Sequence, residues 1–299
     1  MRIGITGANG MLGTALVIHL SKLHEVFATS RKKGKKGKNI KWDCFDLTNI
    51  ELLNKWLNKV EFDVVIHCAA IVNVDACEEN IDLATSLHFE TTKIISDYLS
   101  RNNTRLIYIS TDSVFDGEKQ GSYSESDLIH PLNVYAQTKL MGEVAVKPMD
   151  AALVLRINII GWTEKGKTSF FEWILKDLIN KIPINLFHDV YFSPLHVDDL
   201  SLIIGEIIDK PIFGLYHCAS SNGISKYDFG KKIAEIFQLS DLNINRIGVN
   251  SAKFKASRPK NMTLNVKKIS LALKYALPKA EDAIELMKCQ YDKNNNLLK

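Results

Sequence analysis

The chain opens "MRIGITGANGMLGTALVIHL" (1–20), and the reading of this stretch decides the fold. "RIGIT" (2–6) is short and apolar, the pattern of a buried strand. "MLGTALVIHLSK" (11–22) follows with the apolar spacing of a helix. Between them, "TGANGMLG" (6–13) sets Gly7, Gly10 and Gly13 at intervals of three. Such a triplet between strand and helix has a definite use. One glycine makes the turn, one lets the backbone approach a pyrophosphate, and one lets helix and strand pack closely. The helix start then offers free N–H groups and positive dipole to phosphate. Gly7, Asn9, Gly10, Met11, Leu12 and Gly13 are therefore candidate cofactor-binding residues.

Outward from this turn, strand and helix patterns alternate. Strands are expected at 24–30, 62–70, 105–110 and 152–157, and helices at 49–60, within 79–101 and at 134–146, with a loop over 112–134. This alternation implies an α/β fold with a Rossmann-type, doubly wound parallel sheet, helices on both faces and ligands at the carboxyl ends of the strands. After about residue 158 it loosens. Helices are expected at 168–181 and 226–239, a strand end followed by a helix over 195–208 (with Asp198 or Asp199 near the N-cap), and a strand at 213–219. The expected division is a dinucleotide-binding domain over 1–158 and a smaller substrate-binding region over 159–299. Some segments, about 190–218, should return to the main sheet. The tail 292–299 should fray.

With 299 residues, 46% hydrophobic and 24% charged, the chain can bury a large core. Much of the net charge of +4 comes from "RKKGKKGKNIK" (31–41), read as a solvated loop. No basic face with interleaved aromatics points to nucleic acid. Cys44, Cys68, Cys77, Cys218 and Cys289 are scattered, odd in number and without a C-x-x-C, so they read as reduced thiols of a cytoplasmic protein, with no metal site. No signal peptide and no apolar run of membrane-spanning length is present, so no membrane partner is expected.

The second strand carries the cofactor's signature. Binders specific for NAD usually end it in Asp or Glu, but here it runs "ATSRKK" (28–33). Ser30 and Arg31 suit a 2′-phosphate, so NADP(H) should be preferred, with NAD(H) also admitted. Asp46 and Leu47 suit the adenine edge; Asp46 suits equally the cap of the helix at 49–60.

Tyr135 and Lys139 in "YAQTK" share one helix face. Alone, this spacing describes many ordinary helices. Here it follows "ISTDSVFDG" (109–117) and lies within "PLNVYAQTKLMGE" (131–143). With "TGANGMLG" and "HCAA" (67–70), these segments resemble the extended short-chain dehydrogenase/reductases, and among them the dTDP-4-dehydrorhamnose reductase branch. "LHVDDL" (195–200), "KYDFGKKIAEIF" (226–237) and "SRPKNMTLNVKKI" (257–269) extend the resemblance through nearly the whole chain. It implies NADPH-dependent reduction of a 4-keto nucleotide-sugar. Tyr135 would protonate the carbonyl oxygen, Thr111 would hydrogen-bond the same oxygen, and Lys139 would lower the phenol's pKa and hold the nicotinamide ribose. Cys68, Ala69 and Ala70 would line the cofactor; Asp112, Ser113 and Arg258 would face the substrate.

Three positions depart from that pattern. Ser113 stands where the family has an aromatic, which would open the sugar pocket. His88 replaces an asparagine, either as a hydrogen-bonding or charged group near the nicotinamide or as a packing residue. Ile159 replaces a tryptophan, with Trp162 three residues later. Arg258 and Asn261 in "SRPKN" could serve a diphosphate or pin the C-terminal segment, and His196 reads as scaffold. An epimerase or dehydratase would need a further acid/base pair, of which "STDSVFDG" offers only Asp112. A non-catalytic NADP-binding regulatory subunit, like the beta subunit of methionine adenosyltransferase, is the alternative from another class. Either reading leaves room for a homodimer.

Overall fold

Apolar strands that do not alternate with polar residues must be covered on both faces, and the helices between them do the covering. The computed structural model describes residues 1–163, 168–252 and 254–296. The first half runs β1 (Arg2–Thr6), α1 (Met11–Leu20), β2 (Glu25–Ser30), β3 (Ile40–Cys44), α2 (Ile50–Leu57), β4 (Val64–His67), α3 (Val74–Glu79), α4 (Ile81–Thr85), α5 (Thr91–Arg101), β5 (Arg105–Thr111), α6 (Val134–Val146) and β6 (Ala152–Ile157). The second runs β7 (Ile159–Ile160), α7 (Phe170–Ile179), β8 (Ile184–Phe187), β9 (Tyr191–Phe192), β10 (Leu195–His196), α8 (Val197–Ile207), β11 (Gly214–Cys218), β12 (Ile224–Ser225), α9 (Lys226–Ile236), β13 (Ile244–Ile247), β14 (Asn261–Met262), α10 (Lys267–Leu273) and α11 (Ala280–Asn296).

A seven-stranded sheet has the order β11-β6-β5-β4-β1-β2-β3, every pair parallel. The chain winds outward from β1 in both directions, so the strand order reverses between β1 and β4. That reversal opens a crevice at the carboxyl ends of the strands. One face is covered around Leu16, Val17, Ile203 and Ile204, and the other around Leu53, Trp56, Ile95 and Leu99. A separate apolar core gathers Phe171, Ile174, Phe229, Ile233, Ile284 and Met287 from α7, α9 and α11.

Several expectations change. The basic run is not all loop: Ile40 and Lys41 open the edge strand β3, paired with Val26 and Phe27 of β2. The helix expected within 79–101 starts at Val74 and comes in pieces. Asn80 (φ −142°, ψ 78°) ends α3 and caps α4, its side chain accepting from the Leu83 N–H. A π-helical turn, Ser86–Glu90, then joins α4 to α5. The cap of α8 is His196, whose Nδ1 accepts from the Asp198 N–H at 3.1 Å; Asp198 and Asp199 lie in the first turn. Within 190–218, β11 joins the main sheet, whereas β9 pairs with β12 and β14, and β10 with β7. Residues 292–296 of the tail are helical, as the end of α11, because that helix packs Ile284 and Met287 into the C-terminal core; 297–299 lie outside the described residues. No helix among the described residues is long and apolar enough to cross a membrane.

Candidate active site

The turn after β1 is tight enough that only glycine fits. Gly7 has φ +62°, and a Cβ there would stand 2.7 Å from the Ala69 backbone at the end of β4. A Cβ on Gly13 would stand 2.3 Å from the Gly7 carbonyl oxygen. Gly10 caps α1 without any side-chain hydrogen bond, which leaves the helix's first amides uncapped. Asn9 Oδ1 and Thr14 Oγ1 are buried without hydrogen-bond partners among the described residues. A bare helix start, whose free amides can donate, fits the diphosphate of a dinucleotide.

The glycine turn and Asn9 line a cleft of about 1990 Å³. A single small-ligand site spans roughly 300–1,000 Å³, so the cleft has room for a second ligand beside a dinucleotide. Gly7, Asn9, Gly10, Met11, Leu12, Gly13, Ser30, Arg31, Asp46, Leu47, Cys68, Ala69 and Ala70 all face it, as do Thr111, Asp112, Ser113, Tyr135, Lys139 and Arg258. At the end of β2, Arg31 is exposed, while the Ser30 hydroxyl donates to the Lys32 carbonyl and so is engaged in its own turn. Asp46 does not cap α2. Its Oδ1 accepts from the N–H and hydroxyl of Thr48, at 3.0 and 2.8 Å, and Asn49 caps the helix.

The carboxyl end of β5 and the first turns of α6 bring Thr111, Tyr135 and Lys139 to one wall. Thr111 Oγ1 stands beside the Tyr135 phenol, donates to Asp112 Oδ1 at 3.1 Å and accepts from the Ser113 N–H at 3.1 Å. The strand-end hydroxyl thus caps the backbone and ties down Asp112. Contrary to the expected lowering, the Tyr135 phenol is pushed up to about 12. Burial is the main cause, Asp112 and Cys77 act the same way, and the Thr111 hydroxyl opposes them. Lys139 is directed elsewhere. Its Nζ donates to the Ile109 carbonyl at 2.7 Å and lies 4.1 Å from the Tyr108 ring centroid. Burial lowers this ammonium to about 7, with Glu143 and Cys68 opposing. Glu143 is itself held by Arg156, through Nε at 2.9 Å and Nη2 at 2.7 Å.

His88 sits in the π turn, fully buried, and does not face the cleft. Its Nε2 accepts from the Ile71 N–H at 2.8 Å, so Nδ1 carries the proton and donates to Thr138 Oγ1 at 2.8 Å. Thr138 donates in turn to the Val134 carbonyl. Burial, helped by Lys139, lowers His88 to about 3, so the ring is neutral. His88 is therefore a tie between the end of β4 and the helix bearing Tyr135 and Lys139.

At the far end, Ser113 Oγ donates to Asp112 Oδ1 at 3.2 Å, and Asn158 donates to Asp112 Oδ2. Arg258 lines the cleft but pairs with Asp75 at 3.1 Å; with Asn133 donating to the Ser257 carbonyl, this pins the C-terminal segment. Asn261 donates to the carbonyls of Lys119 and Gly121 and is structural. Ile159 faces the cleft; Trp162 does not, stacking instead on Tyr291 in the C-terminal core. The sequence reading missed Phe170, Trp173, Lys226 and Met262, which complete this wall. The only signal was a tryptophan and a lysine in helices read as amphipathic, and helical spacing does not say which face meets a distant cleft.

Comparison with known proteins accords with this arrangement. The family described as "RmlD substrate binding domain" matches residues 1–292. The chain is 29% identical over 297 residues to the "Probable low-salt glycan biosynthesis reductase Agl14" of Haloferax volcanii, covering 96% of this chain and 97% of that one. It is 31% identical over 278 residues to methionine adenosyltransferase 2 subunit beta of Rattus norvegicus, covering 90% and 81%. The crystal structure of dTDP-4-dehydrorhamnose reductase from Bacillus anthracis in complex with NADP superposes with a TM-score of 0.84 at 26% identity, covering 97% and 99%.

Proposed function

The chain belongs to the RmlD substrate-binding domain family of extended short-chain dehydrogenase/reductases, and from that premise we propose that it is an NADPH-dependent reductase of a 4-keto nucleotide-sugar. The observation that carries this reading is that Thr111, Tyr135 and Lys139 stand on the wall of the cleft that also holds the glycine turn. When bound, NADPH would supply the hydride. Gly7–Gly13 and the start of α1 would hold its diphosphate, and Arg31 its 2′-phosphate. Tyr135 is protonated throughout the neutral range, the state a proton donor to the carbonyl oxygen requires. Thr111 would donate a hydrogen bond to the same oxygen as negative charge develops there. Lys139, which titrates near neutrality, would orient the ribose and favour the reaction electrostatically in its charged form. Asp112 and Ser113 would meet the sugar and Arg258 the substrate's diphosphate, with catalysis and part of the sugar pocket in the domain 1–158 and the rest of the sugar pocket in 159–299.

The test is NADPH oxidation by the purified protein with a panel of 4-keto nucleotide-sugars. Turnover of at least one is expected, with weak activity on dTDP-4-dehydrorhamnose because Ser113 leaves the pocket roomier. Similarity to the methionine adenosyltransferase beta subunit favours a second reading, a non-catalytic NADP-binding subunit. Tight NADPH binding without turnover on any member of the panel would select it.

A further inference from the structure

Lys226 begins α9 and reaches the cleft opposite Asp112. Its Nζ lies 3.3 Å from the centroid of the Phe192 ring and 4.3 Å from that of Phe170. Ring faces attract a cation but give its N–H groups no oxygen to bond. Among the described residues, burial lowers this ammonium to about 7, and the opposing influence is the charge of Asp112. Asp112 makes no direct pair with it. The Asp112 carboxylate is turned instead into hydrogen bonds from Thr111, Ser113 and Asn158. Among the described residues, the Lys226 donors thus face the cleft without an acceptor, in a site whose apolar walls make an uncompensated charge costly.

The position of Lys226 says what should supply that acceptor. Asp112 accepts from Thr111, and Thr111 stands beside Tyr135 on the same wall of the cleft. A carbonyl held by Thr111 and Tyr135 would therefore turn the substituents of its ring toward Asp112 and Lys226, away from the glycine turn. Resting on the nucleotide-sugar reading above, we propose that Lys226 selects an acidic sugar, one whose ring carries a carboxylate that pairs with the ammonium. A neutral hydroxymethyl group offers a lone pair but no charge, and leaves most of the desolvation of the lysine uncompensated. A carboxylate provides both.

The test uses the full chain saturated with NADP⁺. Calorimetric titration would compare uridine and thymidine diphosphate-glucose with the matching diphosphate-glucuronates, at about pH 6 and about pH 8.5, on either side of the lysine's titration. The glucuronates should bind at least about tenfold tighter at the lower pH. At the higher pH their binding should weaken and take up a proton, because the carboxylate favours the charged lysine. Lys226→Met should abolish this preference, and Lys226→Arg should retain most of it, both with unchanged NADPH affinity as evidence of folding. Equal binding of neutral and acidic sugars by the wild type, or a preference that survives in Lys226→Met, overturns the inference while leaving the nucleotide-sugar reading intact. If none of the four ligands binds, that reading fails and the inference falls with it.

Discussion

Each wall of the cleft carries a lysine that burial lowers to about 7, yet the two are held differently. Lys139, on the sheet-side wall, has a backbone carbonyl at 2.7 Å and the Tyr108 ring beneath it. Lys226, on the C-terminal wall, has, among the described residues, only two phenylalanine rings and a distant acid. The first is fixed before any ligand arrives, as a group serving a constant reaction should be. The second has donors to spare, as a group choosing among ligands should. The contrast suggests that the sheet-side wall sets the cofactor and the chemistry, and the other wall the sugar.

The largest expected effect tests the first half of that statement. Tyr135→Phe should lower turnover of a confirmed substrate by about two to four decades, the range for a lost general acid, and leave NADPH affinity within a few-fold. Unchanged turnover would remove Tyr135 from the chemistry. Lys139→Met should reduce turnover and weaken NADPH binding together. In the wild type, turnover should fall as pH rises through about 7, where Lys139 loses its proton, and that inflection should be absent in the variant. Stability should move the other way. Between about 7 and 10.5 the unfolded chain binds protons that the folded lysine does not, so wild-type stability rises with pH over this window. Urea denaturation at about pH 7 and about pH 9 should show a smaller rise in Lys139→Met.

A smaller effect sharpens the cofactor side. With no acid at the end of β2 and Ser30 engaged in its own turn, the 2′-phosphate should be read chiefly by Arg31. NADPH should be preferred over NADH by about ten- to a hundredfold, or roughly 1.4–2.8 kcal/mol. Arg31→Ala should erase most of this preference and barely change NADH binding. Calorimetry at low and high salt checks it, since the exposed lysines beyond Arg31 add only screened attraction. The smallest effect on function is expected from His88→Ala. It leaves the half-buried Ile71 N–H without its acceptor, while Thr138 keeps the Val134 carbonyl, and should cost roughly 1–3 kcal/mol of stability. Its effect on NADPH affinity should be only several-fold, because His88 acts through the backbone; a loss as large as that of Tyr135→Phe would make it part of the chemistry.

Much of the sheet-side wall is legible in the amino-acid sequence. The bounds of α6 and β6 follow directly from apolar spacing, and the glycine turn can be placed because its chemistry is local: a strand, a turn and a helix within twenty residues. Where the sequence misleads, longer-range packing decides the matter. The edge strand β3 hides in a basic run because its pairing with β2 outweighs a weak local pattern. The π turn around His88 is invisible to a period of 3.6 residues, and whether that histidine carries charge depends on the partners of its two nitrogens.

The sequence by itself determined the class of fold and the glycine turn, and it singled out candidates for proton transfer, since each signal rests on neighbours a few positions apart. Tertiary structure decided their electrical state and their company. It placed Tyr135 where burial raises the phenol and turned Lys139 onto the Ile109 carbonyl. It also brought Lys226 over the rings of Phe170 and Phe192, from segments separated by tens of residues, and into the cleft that Asp112 lines. Desolvation and pairing depend on what surrounds a side chain in space, and no local pattern records that.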